Sequence, residues 1–110
     1  MEPRDQDLYE EYQRGELFLR AGQPAEAARI LQPVVEAAPE STAALELHAR
    51  ALFGSAQLAR AEAALRELVE RRPDDGWAQF ALARTLERLG RTEEAATHRR
   101  LADALGFTES

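Results

Sequence analysis

The sequence predicts an all-α protein assembled from repeated helix pairs, on three observations. Ala, Leu, Glu and Arg, all strong helix formers, dominate the composition, while β-branched residues are limited to Ile30, Val34, Val35, Val69 and scattered threonines. Apolar residues recur at spacings of three and four, the period of one helix face. The pattern also returns on itself. Ala27, Ala61 and Ala95 stand 34 residues apart, Pro39 and Pro73 keep the same spacing, and Gly22, Ala56 and Gly90 each precede one of those alanines by five positions. A period of this length marks stacked supersecondary units. A chain of 110 residues has room for one domain with its own core. Residues 1–7 are assigned to an N-terminal extension and 8–110 to a single domain, divided into repeats 8–41, 42–75 and 76–109.

Each repeat reads as two helices and a short turn, over 6–21, 24–38, 41–54, 58–71, 75–89 and 92–105. Gly22, Ala56 and Gly90 mark the turns within the pairs, where a small residue suits a tight reversal. Pro24 fits the first turn of the second helix, because the N–H it lacks has no intrahelical partner there. Pro33 lies inside that helix and removes one backbone bond, which predicts a bend rather than a break. Pro39 and Pro73 end the second and fourth helices. Ser41, and Asp74 or Asp75, are the candidate caps of the helices that follow.

These features resemble the tetratricopeptide repeat family, whose unit is a 34-residue pair of helices, A and B. The first unit carries the resemblance on Gly15, Phe18, Gly22, Ala27, Leu31, Val34 and Pro39. The second carries it on Leu45, Ala49, Leu52, Ala56, Ala61, Leu65, Leu68 and Pro73, and the third on Leu82, Ala83, Leu86, Gly90, Ala95 and Ala102. The resemblance implies a right-handed superhelical solenoid of three antiparallel helix pairs. The third unit departs from the pattern, with Arg99 where the others place Leu31 and Leu65, and Asp103 where they place Val35 and Val69. Losing apolar residues there fits a terminal, solvent-facing repeat. Leu101, Leu105 and Phe107 remain as an apolar remnant that a second copy could bury in a weak homodimer.

Little in the sequence points to catalysis. No cysteine is present, which excludes thiolate metal sites and cysteine nucleophiles. His48 falls where the family packs an apolar residue, so a buried packing histidine is expected. His98 follows Glu94 by four positions and is expected to form a solvated helical ion pair with it. The serines lie at helix boundaries or the terminus, outside any nucleophile elbow, and no phosphate loop or dinucleotide-binding glycine pattern appears. Adjacent carboxylates near helix starts and arginine pairs near helix ends complement the helix dipoles. The expectation is a non-enzyme without cofactor or metal. A net charge of −6 sets the average field against nucleic acid and anionic membranes. The first residues have neither the basic nor the apolar segment of a secretory signal, so a cytoplasmic location is expected.

What the resemblance implies about function is a protein-binding scaffold whose helices A line a concave groove. In this sequence those positions are Tyr9, Tyr12, Glu16, Leu19 and Arg20; Ala43, Glu46, Arg50 and Phe53; and Trp77, Phe80, Arg84, Glu87 and Arg88. Five of the seven aromatic residues fall among them, either as walls of a peptide site or as completions of the core. Four arginines against three glutamates give the face a small positive balance, which points to a protein or peptide ligand with acidic residues beside apolar or aromatic anchors. The lysine and asparagine clamp of chaperone-tail cochaperones is missing, since Tyr12, Glu16, Leu47, Trp77 and Ala81 occupy its positions.

Overall fold

The computed structural model describes residues 5–107, and every regular element among them is an α-helix. In order these are α1 Asp5–Arg20, α2 Pro24–Ala37, α3 Thr42–Gly54, α4 Leu58–Arg71, α5 Gly76–Arg88 and α6 Thr92–Ala104. The chain divides into two compact units, Met1–Ala56 and Gln57–Ser110. Because the division falls in the turn of the second repeat, each unit contains one complete repeat and one helix of the second. In the first unit α2 packs on both α1 and α3; in the second α5 packs on both α4 and α6.

Local chemistry sets the helix ends. Ser41 accepts a bond from the Ala44 N–H at 3.2 Å and Asp75 one from the Ala78 N–H at 3.1 Å. Each therefore satisfies one of the donors a helix start leaves open. Both caps follow the same reversal, in which the Ser41 N–H bonds to the Ala38 carbonyl and the Asp75 N–H to that of Arg72. Pro39 and Pro73 occupy the second position of these turns, where a fixed φ is an advantage. Helix α2 runs unbroken through Pro33, which lies on its exposed face, where water can reach the carbonyl that loses its partner.

Turns within the helix pairs require a left-handed residue. Gly22 and Gly90 have φ of +76° and +82°, and Ala56 adopts +56° at the equivalent place. At Gly22 the chain closes α1 with two bonds, Gly22 N–H to the Leu19 carbonyl and Gln23 N–H to that of Phe18. Gly90 with Arg91, and Gly106 with Phe107, repeat the arrangement. A methyl group at Gly22 or Gly90 would meet nothing within 4 Å, so backbone conformation alone selects glycine there.

Packing explains the other small residues. Ala27, Ala61 and Ala95 are all buried near the starts of α2, α4 and α6. Gly15 lies so close to the fully buried Leu31 that an added Cβ would sit 2.5 Å from its Cγ. Leu31, Val34, Leu45 and Leu52 anchor the core of the first unit, and Leu65, Leu68, Leu82 and Leu86 that of the second. Helix α1 differs from its counterparts on one face. Where α3 buries Ala44, His48 and Ala51, and α5 buries Ala78, Leu82 and Thr85, α1 exposes Glu10, Arg14 and Leu17.

Ala56 leads to a stability prediction of unusual sign. A left-handed non-glycine residue costs about 1–2 kcal/mol, and the extra freedom of glycine in the unfolded chain returns about 0.4–1 of that. Ala56→Gly is therefore expected to raise stability by about 0.5–1 kcal/mol, whereas Gly22→Ala and Gly90→Ala lower it. Ala61→Leu should overpack the buried face of α4 and cost about 1–3 kcal/mol. Urea midpoints at constant slope provide the check, and a destabilised Ala56→Gly variant would contradict the assignment.

Candidate functional site

The helix A positions singled out in the sequence are accessible in both units. On α1, Tyr9 is 62% exposed, Tyr12, Glu16 and Leu19 are half-buried, and Arg20 is exposed. On α3, Ala43 is exposed, with Glu46, Arg50 and Phe53 half-buried. On α5, Trp77 and Phe80 are half-buried, while Arg84, Glu87 and Arg88 are exposed. None of these side chains belongs to the fully buried core.

In the first unit several of them meet. Leu8, Tyr9 and Tyr12 of α1, Val34 and Ala38 at the end of α2, and Ser41, Ala43 and Ala44 at the start of α3 line a largely apolar pocket of about 300 Å³. Only Tyr9, Tyr12 and Ala43 were readable as site residues in advance. Val34, Ala38 and Ser41 belong to a helix B and a turn, and they enter the site because α2 ends between the two helices A. Burial holds the Tyr12 phenol above its ordinary range, reinforced by the negative charges of Glu16 on its own helix and Glu46 on α3.

Charge pairing changes the expected balance of the face. Glu16 pairs with Arg20 at 3.5 Å and Glu46 with Arg50 at 3.3 Å, while Glu87 pairs with Arg99 at 2.6 Å. All three glutamates of the face are thus engaged. Arg84 and Arg88 are left without a carboxylate partner among the described residues, so the positive surplus lies on α5.

The second unit also places its terminal residues differently from expectation. Arg99 does not simply face solvent; it reaches across to Glu87, with its guanidinium 6.0 Å from the Phe80 ring centroid. The Gly106 turn sends Phe107 back onto α5, where its ring lies 4.9 Å from that of Phe80 and its Cβ sits close over Gly76. Phe107 is therefore half-buried, while Leu101 and Leu105 remain 43% and 42% exposed. The aromatic stack and α6 hold one edge of the Phe80 ring.

His48 is 5% exposed, in keeping with a packing role. His98 departs from the expected pairing with Glu94. Its Nδ1 lies 2.7 Å from Oε1 of Gln79, a side chain only 2% exposed whose Nε2 donates to the Pro73 carbonyl at 3.1 Å. Since the Gln79 amide has its nitrogen committed to Pro73, its oxygen accepts and His98 Nδ1 carries the proton. Glu94 instead joins a closed ring of four charges. It bonds Arg66 at 2.6 Å and Arg91 at 3.1 Å, and both arginines also bond Glu62, each at 2.8 Å. These bonds draw the Glu62 and Glu94 carboxyls below their ordinary range, Arg91 leading for the first and Arg66 for the second.

Burial lowers the His98 pKa below its ordinary 6.5, and the charge of Arg66 adds to the effect against a weaker opposing pull from Glu94. The unfolded chain then takes up this proton first, so stability should fall as pH drops below about 6.5. The depressed carboxyls act in the same direction at lower pH: their contribution is complete above about 4.5 and is lost as pH falls through their folded values. NMR titration of the His98 ring should give a pKa below that of a free histidine, with the proton on Nδ1 in the neutral form. A raised pKa would contradict the geometry.

Among the described residues, no group of three or more His, Asp or Glu is arranged to hold a metal ion, and no helix is long and apolar enough to cross a membrane. The helix A positions offer accessible aromatic rings, an apolar pocket in the first unit and guanidinium groups on α5 of the second. The tetratricopeptide repeat pattern matches residues 18–76 and 52–98, and the chain belongs to that family, a class of protein–protein interaction modules. No curated protein matches the sequence. Among solved structures the chain resembles the MamA R50E mutant, numbered in its own sequence, at 24% identity and a TM-score of 0.85, covering all of this chain and 78% of that one. It resembles the MamA RS-1 ArsTM double mutant at 26% identity and a TM-score of 0.81, covering 94% of this chain and 58% of the other. A third likeness is to MamA 41-end from Desulfovibrio magneticus RS-1, at 27% identity and a TM-score of 0.75, over 87% and 54% of the respective chains. This chain thus spans little more than half the length of two of these structures.

Proposed function

We propose that this protein is a non-catalytic cytoplasmic adaptor that receives a protein or peptide segment on the helix A faces of its repeats, without engaging nucleic acid or membrane. The observation that carries this reading is the accessible aromatic surface on those faces, with Tyr9 exposed and Tyr12, Phe53, Trp77 and Phe80 half-buried, where a solenoid serving only as a spacer has no need of large aromatic side chains. On α5 the ligand is acidic, because Arg84 and Arg88 offer forked donors beside Trp77 and Phe80. Arg50, engaged by Glu46, contributes less to such recognition than Arg84.

Affinity capture from the native host, followed by binding measurements on the recovered partner, tests the reading. Trp77→Ala should weaken binding by about 1–3 kcal/mol with little change in salt response, and Arg84→Ala with Arg88→Ala should weaken it while flattening the salt dependence. Unchanged affinity in both folded variants would remove α5 from the site.

A second reading rests on Leu101 of α6 and Leu105 just beyond its end, whose exposure suits self-association. It predicts a sedimentation mass that rises with concentration and returns to the monomer value in Leu101→Glu. Phe107, turned back onto Phe80, contributes to that contact only through its outer edge. A constant monomer mass up to high concentration would exclude this reading.

A further inference from the structure

We propose that the pocket of the first unit takes an apolar side chain from a cationic segment of a partner protein, one Leu, Phe or Trp flanked by Lys or Arg. This rests on the helix A reading above and specifies the part of the ligand that meets α1 and α3.

Size and lining define the anchor. A volume of about 300 Å³ walled by Leu8, Tyr12, Val34 and Ala44 accepts one large apolar side chain and offers few polar groups to anything else. Charge defines what surrounds the anchor. Between positions 5 and 56 there are nine acidic residues and four arginines. Each of those arginines is matched by a nearby carboxylate: Arg14 by Glu11, Arg20 by Glu16, Arg29 by Glu26 and Arg50 by Glu46. The surplus is therefore Asp5, Asp7, Glu10, Glu36 and Glu40. Among the described residues, the last four have no cationic partner.

Asp7, Glu10, Glu36 and Glu40 are all exposed on this unit, and Glu40 directly precedes Ser41 of the pocket wall. An uncompensated surplus of one sign gives the surface of the whole unit, the pocket mouth included, a negative potential. Tyr9, the most exposed aromatic ring on α1, adds a face on which a guanidinium or ammonium group can rest. An acidic segment would meet repulsion here, and a neutral apolar one would leave the surplus uncompensated.

The test uses the full chain and a set of fluorescein-labelled synthetic peptides in a binding titration. Each peptide carries one Leu, Phe or Trp between Arg and Lys pairs, with matched versions in which the cations become Glu or the anchor becomes Ser. The cationic apolar peptides should bind at least about tenfold tighter than either matched version and weaken as salt rises. Ala43→Arg, an exposed position on the pocket wall, should reduce that binding by about tenfold or more, as should the pair Asp7→Arg and Glu40→Arg; Glu70→Arg, an exposed reversal on α4, should leave it unchanged. Helicity confirms that each variant is folded, and Tyr9→Ser replaces Ala43→Arg if the latter is not.

The proposal is overturned if the acidic or anchorless peptides bind equally well, or if Ala43→Arg has no effect. It is also overturned if sedimentation shows that Ala43→Arg dissolves a homo-oligomer, since a second copy would then be the occupant. If peptide binding responds to Trp77→Ala but not to Ala43→Arg, this proposal fails while the helix A reading stands. If no helix A variant alters the binding of any ligand, both fail.

Discussion

Close approach of paired helices is the constraint on which the rest of the structure depends. Helix α2 can lie against α1 because Gly15 leaves room for Leu31, and the fully buried Ala27 near the start of α2 adds only a single methyl group. Ala61 and Ala95 repeat the same economy of volume near the starts of α4 and α6. Interiors packed at crystal-like density leave no slack for a larger side chain at such places. Where helices lie this close, as α1 with α2 and α5 with α6, the connection between them must be short, and a short connection forces the left-handed residue found at positions 22 and 90. Helix spacing, turn conformation and the direction in which each helix A presents its outer side chains therefore follow from a handful of small residues.

Much of this was legible in the sequence because the chemistry is local. Ser41 and Asp75 cap the helices they precede, Pro24 opens α2, and Pro39 and Pro73 lie just beyond the helices they end. What escaped reading depends on partners distant along the chain. Gln79 gave no sign of being buried, yet it joins the Pro73 carbonyl to His98, and that bond takes His98 away from the Glu94 one turn before it. Glu94 in turn is held by Arg66, 28 positions earlier. Phe107 could be recognised as apolar, but its return onto Phe80 depends on the turn at Gly106, whose meaning emerges only with α5 in place.

The helix A residues show the same division. Their identity and accessibility followed from the repeat register, whereas their electrostatic state did not. Charge counting gave the face a positive balance, but its four arginines and three glutamates were not equivalent once folded: Glu16 and Glu46 paired with Arg20 and Arg50, Glu87 paired with Arg99 from outside the face, and among the described residues Arg84 and Arg88 kept no neighbouring carboxylate. A sequence count treats every charge alike. Folding sorts them by which side chains lie within reach, and it leaves the first unit with a negative surplus on its exposed residues.

The ring of Glu62, Arg66, Arg91 and Glu94 bears on how the repeats are ordered. One period earlier the same four positions hold Ala28, Gln32, Gln57 and Arg60, which contain a single charge and cannot form such a ring. Two successive copies of the third repeat would instead bring Ala96 and Arg100 to the places of Glu62 and Arg66, setting an arginine against the next copy's Arg91 with one carboxylate fewer to hold them. The repeats are thus alike in backbone and unlike in address. A gene rearrangement that duplicated or exchanged them would keep the 34-residue register while losing this ring of charges.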